Sequence, residues 1–362
     1  MQARLKDDLR ALMLIPGLSG HEDRVRHEIA ARLQVAGVAG RADRAGNLIA
    51  TFRGDENAPS VMLFAHMDQL GFVVRKIRDD GLIRVERLGG VPERAMAAQA
   101  VLLCGRKGDV PGLIANKAHH ATTPDEKYQV VRVADVLVDT GHTSRGSVEA
   151  AGITIGTPVV WQPRVLDLAG GRIAGTSVDD RAGCAVMLEV ARMLAGRKTG
   201  PTVHLVFSVL EEFNLRGAVM AAEALRPDIA LQIDLMLACD TPDMAERGDM
   251  RLGGGPGISL YSFHGRGTLN GVIPHPALVG LFEGAAETAG LTLQRSAQSG
   301  ILTDLSHVQT VGAGIAALDI GYPMRYSHSA LEVCDMADLE ALTRLIGKAL
   351  AAIGPGFSLE RS

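Results

Sequence analysis

The sequence predicts a three-layer α/β/α domain that is interrupted by an inserted, small β-barrel-like domain. Two patterns carry this prediction. In residues 1–71 and 165–362, stretches with helical periodicity alternate with short apolar runs, as in a sheet covered by helices. In residues 72–164 the apolar runs are β-branched and separated by turn residues about every 8 to 12 positions, as in small β domains. We therefore expect one discontinuous α/β domain and one inserted β domain, 72–164.

The chain begins with two predicted helices. Leucines at helical spacing predict the first helix over residues 5–13, and Pro16-Gly17 ends it. Ser19 and Glu22 stand three residues apart, which is the pattern of a capping box, and they predict the start of the second helix. The apolar stripe of this second helix consists of Val25, Ile29 and Leu33.

Strands and helices then alternate on both sides of the insertion. Apolar runs bounded by turn residues predict strands at 47–52, 61–65, 203–210 and within 229–239, and, inside the insertion, several short strands such as 130–133. Amphipathic periodicity predicts helices at 181–194, 217–225, 275–289 and 336–352.

Length and charge exclude several classes of protein. The 362 residues suffice for about two domains. A net charge of −4 and an aromatic content of 4% argue against a nucleic-acid partner. No apolar run approaches the roughly 18 residues of a membrane helix, and Asp7 and Asp8 stand where a signal peptide would be basic and then apolar. We therefore expect a cytoplasmic protein without a membrane partner, with its four scattered cysteines reduced.

Three polar residues lie at or near the ends of predicted buried strands, where open α/β sheets place their sites. His66 and Asp68 follow the strand at 61–65 and are two residues apart, so both side chains can face one cleft. Asp68 could then orient the imidazole. Asp234 stands between two apolar residues and needs a partner if it is buried. A buried salt bridge would explain Asp234 equally well.

Three further positions are ambiguous when each is considered alone. Asp179-Asp180 precedes a predicted helix, where aspartate is also a good cap. Glu211-Glu212 ends a buried strand, where two carboxylates need a compensating cation unless they are solvated. His328 lies in a polar loop, where a structural histidine is common.

Together these positions describe a mixed nitrogen and oxygen site. Imidazole and carboxylate ligands suit zinc, manganese or cobalt. No cysteine stands among them, which argues against a structural zinc site. Two histidines and three carboxylates suffice for two metal ions if one carboxylate bridges, and a surplus carboxylate would remain for proton transfer.

Eight segments spread over nearly the whole chain resemble one known family. The chain is similar to the glutamyl aminopeptidase family of cocatalytic metallo-aminopeptidases, which includes the tetrahedral (TET) dodecamers. The segments occur in the family's order: IPGLSGHEDRVR (15–26), AGNLIATFRG (45–54), AHMDQLGF (65–72), DGLIRVERLGG (80–90), SVDDRAG (177–183), LEEFNLRGA (210–218), DLMLACDTP (234–242) and RYSHSALEVCDMADLE (325–340).

The resemblance implies two divalent ions and a role for each candidate residue. Zinc is favoured, with cobalt or manganese as alternatives. The implied ligands share Asp179 as a bridge: His66 and Asp234 join it at one ion, and Glu212 and His328 join it at the other. Glu211 would be the general base, and Asp68 the carboxylate behind His66. The insertion resembles the family's dimerisation domain, which implies a homo-oligomer between a dimer and a dodecamer.

Several positions depart from the family pattern beside the implied site. Gln69 replaces a common Glu, Phe213-Asn214 replaces Val-Gly, and Met236 replaces a common Thr. None of these changes removes an implied ligand or the base. They bear on substrate preference more than on hydrolysis.

The function expected from these observations is removal of the N-terminal residue from short peptides. Two alternatives stay open. The substrate could be a small non-peptide amide, or the chain could be a metal-independent glycoside hydrolase that uses carboxylates such as Glu211 and Asp68. The second alternative leaves His66 and His328 unexplained.

Two features of the sequence bear on substrate contacts. Arg325 lies three residues before His328 and could bind an acidic substrate side chain or simply balance local charge. His119 and His120, in the insertion, could reach the site of a neighbouring subunit or have a surface role.

Overall fold

The structure is a computed structural model that describes residues 1–197, 199–265 and 270–361. The helices it contains over these ranges are α1 Gln2–Met13, α2 Asp23–Val35, α3 Arg145–Ala150, α4 Val178–Ala195, α5 Gly217–Leu225, α6 Pro276–Ala289, α7 Leu305–Val308 and α8 Met336–Ala352. No helix within these ranges has both the length and the apolar character needed to cross a membrane.

The strands form two separate sheets. One is built from the chain on both sides of the insertion, and the other lies within the insertion. Those of the large sheet are β1 Arg41–Ala42, β2 Leu48–Phe52, β3 Val61–His66, β10 Val165–Asp167, β11 Arg172–Gly175, β12 Val203–Ser208, β13 Ile229–Leu237, β14 Gly257–Phe263, β15 Gly271–Val272, β16 Gln294–Ser299, β17 Ala316–Arg325 and β18 Glu332–Asp335. Those of the insertion are β4 Gly71–Ile77, β5 Ile83–Leu88, β6 Ala100–Gly105, β7 Gly108–Ile114, β8 Val138–Asp139 and β9 Pro158–Trp161.

The large sheet has a parallel centre. Its main path runs β1-β2-β12-β3-β13-β17-β18-β11-β10, and β14, β15 and β16 join it through β17. The four central strands β12, β3, β13 and β17 are parallel to their neighbours within this group. Their carboxyl ends therefore lie along one edge of the sheet, which is where ligands bind in open α/β sheets.

Side chains of the central strand β3 alternate between two apolar layers. Val61, Leu63 and Ala65 join a cluster built with α1, α2, α4, α6 and α8. Met62 and Phe64 face the opposite way and join a cluster with α5 and α7. All six residues of β3 are buried, because helices cover the sheet on both faces. The prediction of a three-layer α/β/α fold is confirmed.

The insertion forms a closed barrel with the strand order β4-β5-β8-β7-β6-β9. It has its own apolar core, in which Phe72 and Trp161 pack edge to face with ring centroids 5.5 Å apart. The two-residue strand β8 closes the barrel, pairing with β5 at Ile83 and with β7 at Leu113 and Ile114. The barrel strands run from Gly71 to Trp161, close to the predicted limits of 72–164, which stay a prediction.

Two predictions about local structure are wrong. Ser19 does not cap α2: Glu22 is the residue before the helix, and its carboxylate instead accepts hydrogen bonds from the backbone N–H groups of Gly20 and Leu210. Residues 130–133 form no strand, and Val130 and Val131 are exposed, so their β-branched character there does not reflect burial in the barrel.

Candidate metal centre

The parallel strands bring the candidate residues to one edge of the sheet. His66 ends β3, directly beside Ser208 at the end of β12, and Glu211 and Glu212 follow in the next loop. In β13, Gln232 is level with Phe64 of β3, so Asp234 lies level with His66. The strand register therefore places His66 and Asp234 at one edge of the sheet, beside the end of the strand whose following loop carries Glu211 and Glu212.

The first group of candidate ligands consists of His66, Asp179 and Asp234. One ligand atom from each lies within 4.8 Å of the others, and all three residues are buried. The His66 Nε2 atom is 3.0 Å from Asp179 Oδ1. Two ligands at about 2.0–2.2 Å from one ion lie roughly 3–3.5 Å apart, so this spacing fits a shared cation.

The second group consists of Asp179, Glu212 and His328, and one ligand atom from each again lies within 4.8 Å of the others. The His328 Nε2 atom is 3.5 Å from Asp179 Oδ2 and 3.8 Å from Glu212 Oε1. The two oxygens of Asp179 thus face different histidines. This donor set of imidazole and carboxylate, with no thiolate, fits two adjacent divalent cations.

The Asp68 carboxylate joins three segments of chain behind the first group. It is fully buried, and its oxygens accept hydrogen bonds from the backbone N–H groups of Glu211 at 3.1 Å and Glu212 at 3.0 Å, and from the Ser19 hydroxyl. Its Oδ1 is also 3.5 Å from His66 Nδ1. Asp68 therefore fixes the loop that carries both glutamates and steadies the imidazole at the same time.

A second buried carboxylate, Glu332, holds the backbone of two residues of the other group. Its two oxygens accept hydrogen bonds from the backbone N–H of Asp179 at 3.0 Å and of His328 at 2.7 Å. Glu332 is 3% exposed, so these bonds lie away from solvent. Sequence reasoning missed this residue. Its position four residues after His328 gave no signal, because the loop conformation that brings it back is not a periodic pattern.

The candidate centre holds more carboxylates than its histidines can neutralise. Burial, together with the charge of Asp179, raises the pKa of both Asp234 and Glu212 to about 7. Burial, reinforced by Glu212, raises the pKa of Glu211 well above its usual range. Burial would lower the pKa of His328, but the Glu212 and Asp179 carboxylates outweigh it and raise that pKa to about 9. Bound cations would offset this excess negative charge.

Arg181 supplies a permanent positive charge beneath the site. It is fully buried at the start of α4, and its Nη1 donates a hydrogen bond to the Leu12 carbonyl at 3.1 Å. Burial lowers the pKa of Arg181 to about 10, while the carboxylates of Asp68 and Glu22 oppose that change. The guanidinium therefore stays charged at neutral pH.

The neighbouring aspartate, Asp180, has the capping role that the sequence also allowed for this pair. Its Oδ1 accepts hydrogen bonds from the Gly183 N–H at 3.0 Å and from the Tyr322 hydroxyl at 2.9 Å. Asp179 faces the two histidines and is a candidate metal ligand. Asp180 faces the helix and accepts a hydrogen bond from its backbone.

A cavity of about 540 Å³ opens onto both groups and onto Glu211. Its apolar lining includes Leu215, Leu235, Leu237 and Ile301. Among the described residues that line it, none is a lysine or an arginine. The cavity lining thus combines carboxylates and imidazoles with apolar side chains.

Arg325 does not line this cavity. Its Nε and Nη2 atoms donate to the two oxygens of Asp240 at 2.7 and 2.6 Å, so the guanidinium edge that carries these two atoms is already paired with a carboxylate. His119 and His120 are exposed in a short 3₁₀ turn of the barrel domain, with ring centroids 5.8 Å apart.

Three of the residues that depart from the family pattern make an identifiable contact or are buried in a cluster. The Gln69 side chain accepts a hydrogen bond from the Gly17 N–H at 3.0 Å and so has a structural contact. Phe213 is exposed, with the Arg216 guanidinium 4.7 Å from its ring centroid. Met236 is buried in a small cluster with Cys239 and Met250.

Comparisons with known proteins give one consistent family. SgcX of Escherichia coli (strain K12), provisionally named an aminopeptidase, is 36% identical over 348 residues, which is 96% of this chain and 93% of SgcX. An aminopeptidase structure from the archaeon Desulfurococcus kamchatkensis superposes with a TM-score of 0.91 at 32% identity, covering 98% of this chain and 97% of that one.

A third similar protein is the TET1 peptidase of Pyrococcus horikoshii, described as able to assemble into a tetrahedron or a large octahedral shell. It superposes with a TM-score of 0.86 at 27% identity, covering 96% of this chain and 99% of that one. The family profile for M42 glutamyl aminopeptidases matches residues 46–345. This chain therefore belongs to the M42 glutamyl aminopeptidase family.

Proposed function

We propose that this chain is a dinuclear metal-dependent aminopeptidase that removes the N-terminal residue from short peptides. The observation that carries the proposal is the pair of three-residue groups that share Asp179. His66 and Asp234 would complete one ion site, and Glu212 and His328 the other. Zinc suits this donor set best, and cobalt or manganese are the alternatives.

When bound, two divalent ions supply Lewis-acid chemistry, which polarises a carbonyl and makes water a better nucleophile at neutral pH. The protein's own contribution is orientation and proton transfer. Glu211 lines the cavity but belongs to neither ligand group, so its carboxylate is available to take a proton from the attacking water and return it to the leaving amine.

Both histidines are held by backbone acceptors on the side away from Asp179. His66 Nδ1 donates to the Asp68 carbonyl at 3.2 Å, and His328 Nδ1 donates to the Gly90 carbonyl at 3.1 Å. Because a carbonyl only accepts, each Nδ1 carries a proton, and each Nε2 would supply its lone pair to an ion that displaces any proton held there.

Substrate class is tested with the metal-reconstituted enzyme. We expect turnover of aminoacyl-p-nitroanilides and of short peptides with a free amino terminus, and loss of turnover when that terminus is acetylated. Hydrolysis confined to acylated small amines would favour the non-peptide alternative instead. A glycoside hydrolase that uses Asp68 is disfavoured, because backbone N–H groups and Ser19 occupy its carboxylate oxygens.

We also propose that the chain self-associates through its barrel domain, as a dimer or as a dodecamer built from dimers. Support comes from the family and from the assembly described for TET1. Sedimentation at micromolar concentration should show a species of at least twice the 38.2 kDa chain. A single 38 kDa species would refute self-association.

A further inference from the structure

The inserted barrel reaches into the candidate metal centre through one turn. Gly89-Gly90 directly follows β5 of the barrel, and Gly90 lines the same cavity as the two ligand groups. The Gly90 carbonyl accepts the hydrogen bond from His328 Nδ1 at 3.1 Å. This bond joins the barrel to a loop of the large α/β domain.

Both positions of the turn leave room for a ligand side chain. A Cβ atom at residue 90 would lie 2.7 Å from His328 Nδ1 and 2.9 Å from its Cε1, distances that real Cβ atoms do not tolerate. A Cβ atom at residue 89 would lie 3.1 Å from Glu212 Oε2. Glycine at residue 90 is therefore required by the close approach of the imidazole, independently of backbone conformation.

The contacts of this turn are selective. It approaches His328 and Glu212, which belong only to the second ligand group; within the described ranges, the atoms nearest to a Cβ at residue 89 or 90 belong to neither His66 nor Asp234. Packing against the turn fixes the ring plane of His328, and the hydrogen bond fixes its tautomer.

We propose that Gly90 is a positioning residue through which the barrel domain sets the affinity of the second ion site, Asp179–Glu212–His328, without affecting the first. The inference rests on the proposed function, since it assumes that both groups bind ions. A methyl group at residue 90 would turn the imidazole away from Asp179 and weaken that site alone.

The test is a titration of metal-free protein with Co²⁺, followed by calorimetry and by the visible absorption of each bound equivalent. In Gly90→Ala we expect one equivalent to bind as in the wild type and the other about 10–100-fold more weakly, with an altered spectrum. Gly146→Ala is the matched control. It lies in α3 of the same domain, where an added Cβ meets nothing within 4 Å, and it should titrate as the wild type.

A double variant shows whether the effect passes through His328. In a His328→Ala background, Gly90→Ala should cause no further loss of affinity, because the ring it displaces is gone. A further loss of tenfold or more there would overturn the proposal, and so would wild-type binding of both equivalents in the single variant.

A replacement without added atoms covers the case in which Gly90→Ala does not fold. An ester in place of the peptide bond between Gly90 and Val91 weakens the Gly90 carbonyl as an acceptor, and it should lower the affinity of the same equivalent several-fold. Unchanged affinity would overturn the proposal. Failure of the proposed function gives a different result, because the wild type itself would then not bind two equivalents.

Discussion

The Glu212 carboxylate lies 3.8 Å from the Nε2 atom of His328, whereas the adjacent Glu211 belongs to neither ligand group. Two consecutive glutamates thus occupy different positions in one cavity. The backbone N–H groups of both are held by Asp68, which keeps their side chains from exchanging places.

Substitution of these glutamates should separate proton transfer from metal binding. Glu211→Gln keeps shape but loses basicity, so we expect bound metal and folding to persist while kcat falls by at least ~10²-fold. Glu212→Gln should lose one ion, because a neutral amide is a poorer ligand than a carboxylate. Metal analysis and steady-state kinetics measure both effects. If the two variants exchange phenotypes, the assignment is reversed.

His328→Ala should reduce the bound metal from two ions towards one. It removes the only imidazole of the second group and leaves His66, Asp179 and Asp234 in place. Elemental analysis after gel filtration measures the stoichiometry. His27→Ala, an exposed residue on α2, is the control and should keep both ions. Two tightly bound ions in His328→Ala would remove this histidine from the site.

The cavity wall predicts a preference for apolar N-terminal residues. Leu235, Leu237 and Ile301 line it, and Arg325 is already paired with Asp240. Leucyl-p-nitroanilide should therefore have a kcat/KM at least ~10-fold above that of the glutamyl substrate, as burial of an aliphatic side chain allows. Leu237→Asp should reduce this ratio, whereas Arg325→Ala should leave it unchanged. A higher rate with the glutamyl substrate that Arg325→Ala abolishes would assign acidic specificity to Arg325.

The pH dependence of stability should include a contribution from Asp338 at the start of α8. Burial raises its pKa to about 6, although the N–H groups of Gly253 and Gly255 donate to its carboxylate at 2.8 Å. The folded state therefore binds this proton more tightly than the unfolded state, whose pKa is about 3.9. The free energy of unfolding consequently falls as pH rises from about 4 through 6.

Asp338→Asn removes this titration. Relative to the wild type, we expect the fall in unfolding free energy between pH 4 and 7 to shrink by at most about 3 kcal/mol. Urea titrations of chelator-treated protein measure it without a contribution from metal loss. Glu287→Gln, an exposed acid on α6, is the control. Equal pH slopes in wild type and Asp338→Asn would contradict the assignment.

The sequence predicted the site residues that lie on strands or directly after them. His66 and Asp234 follow from strand register, because parallel strands bring their carboxyl ends to one edge. Glu332 and Gly90 could not be predicted in this way, since irregular loops carry their hydrogen bonds to His328. Ser19 misled for a physical reason: the helix begins at Asp23, after Glu22, which is too far along the chain for Ser19 to be its cap, and the Ser19 hydroxyl donates to the buried Asp68 carboxylate.

The buried Arg181 has a consequence for the protein without its ions. A fixed guanidinium beneath Asp68 and Glu22 is a counter-charge that chelators do not remove, and it remains protonated far above neutral pH. Part of the repulsion among the interior acids is therefore balanced by the chain itself. We therefore expect the chain to keep its fold when a chelator removes the ions, because this internal counter-charge stays in place.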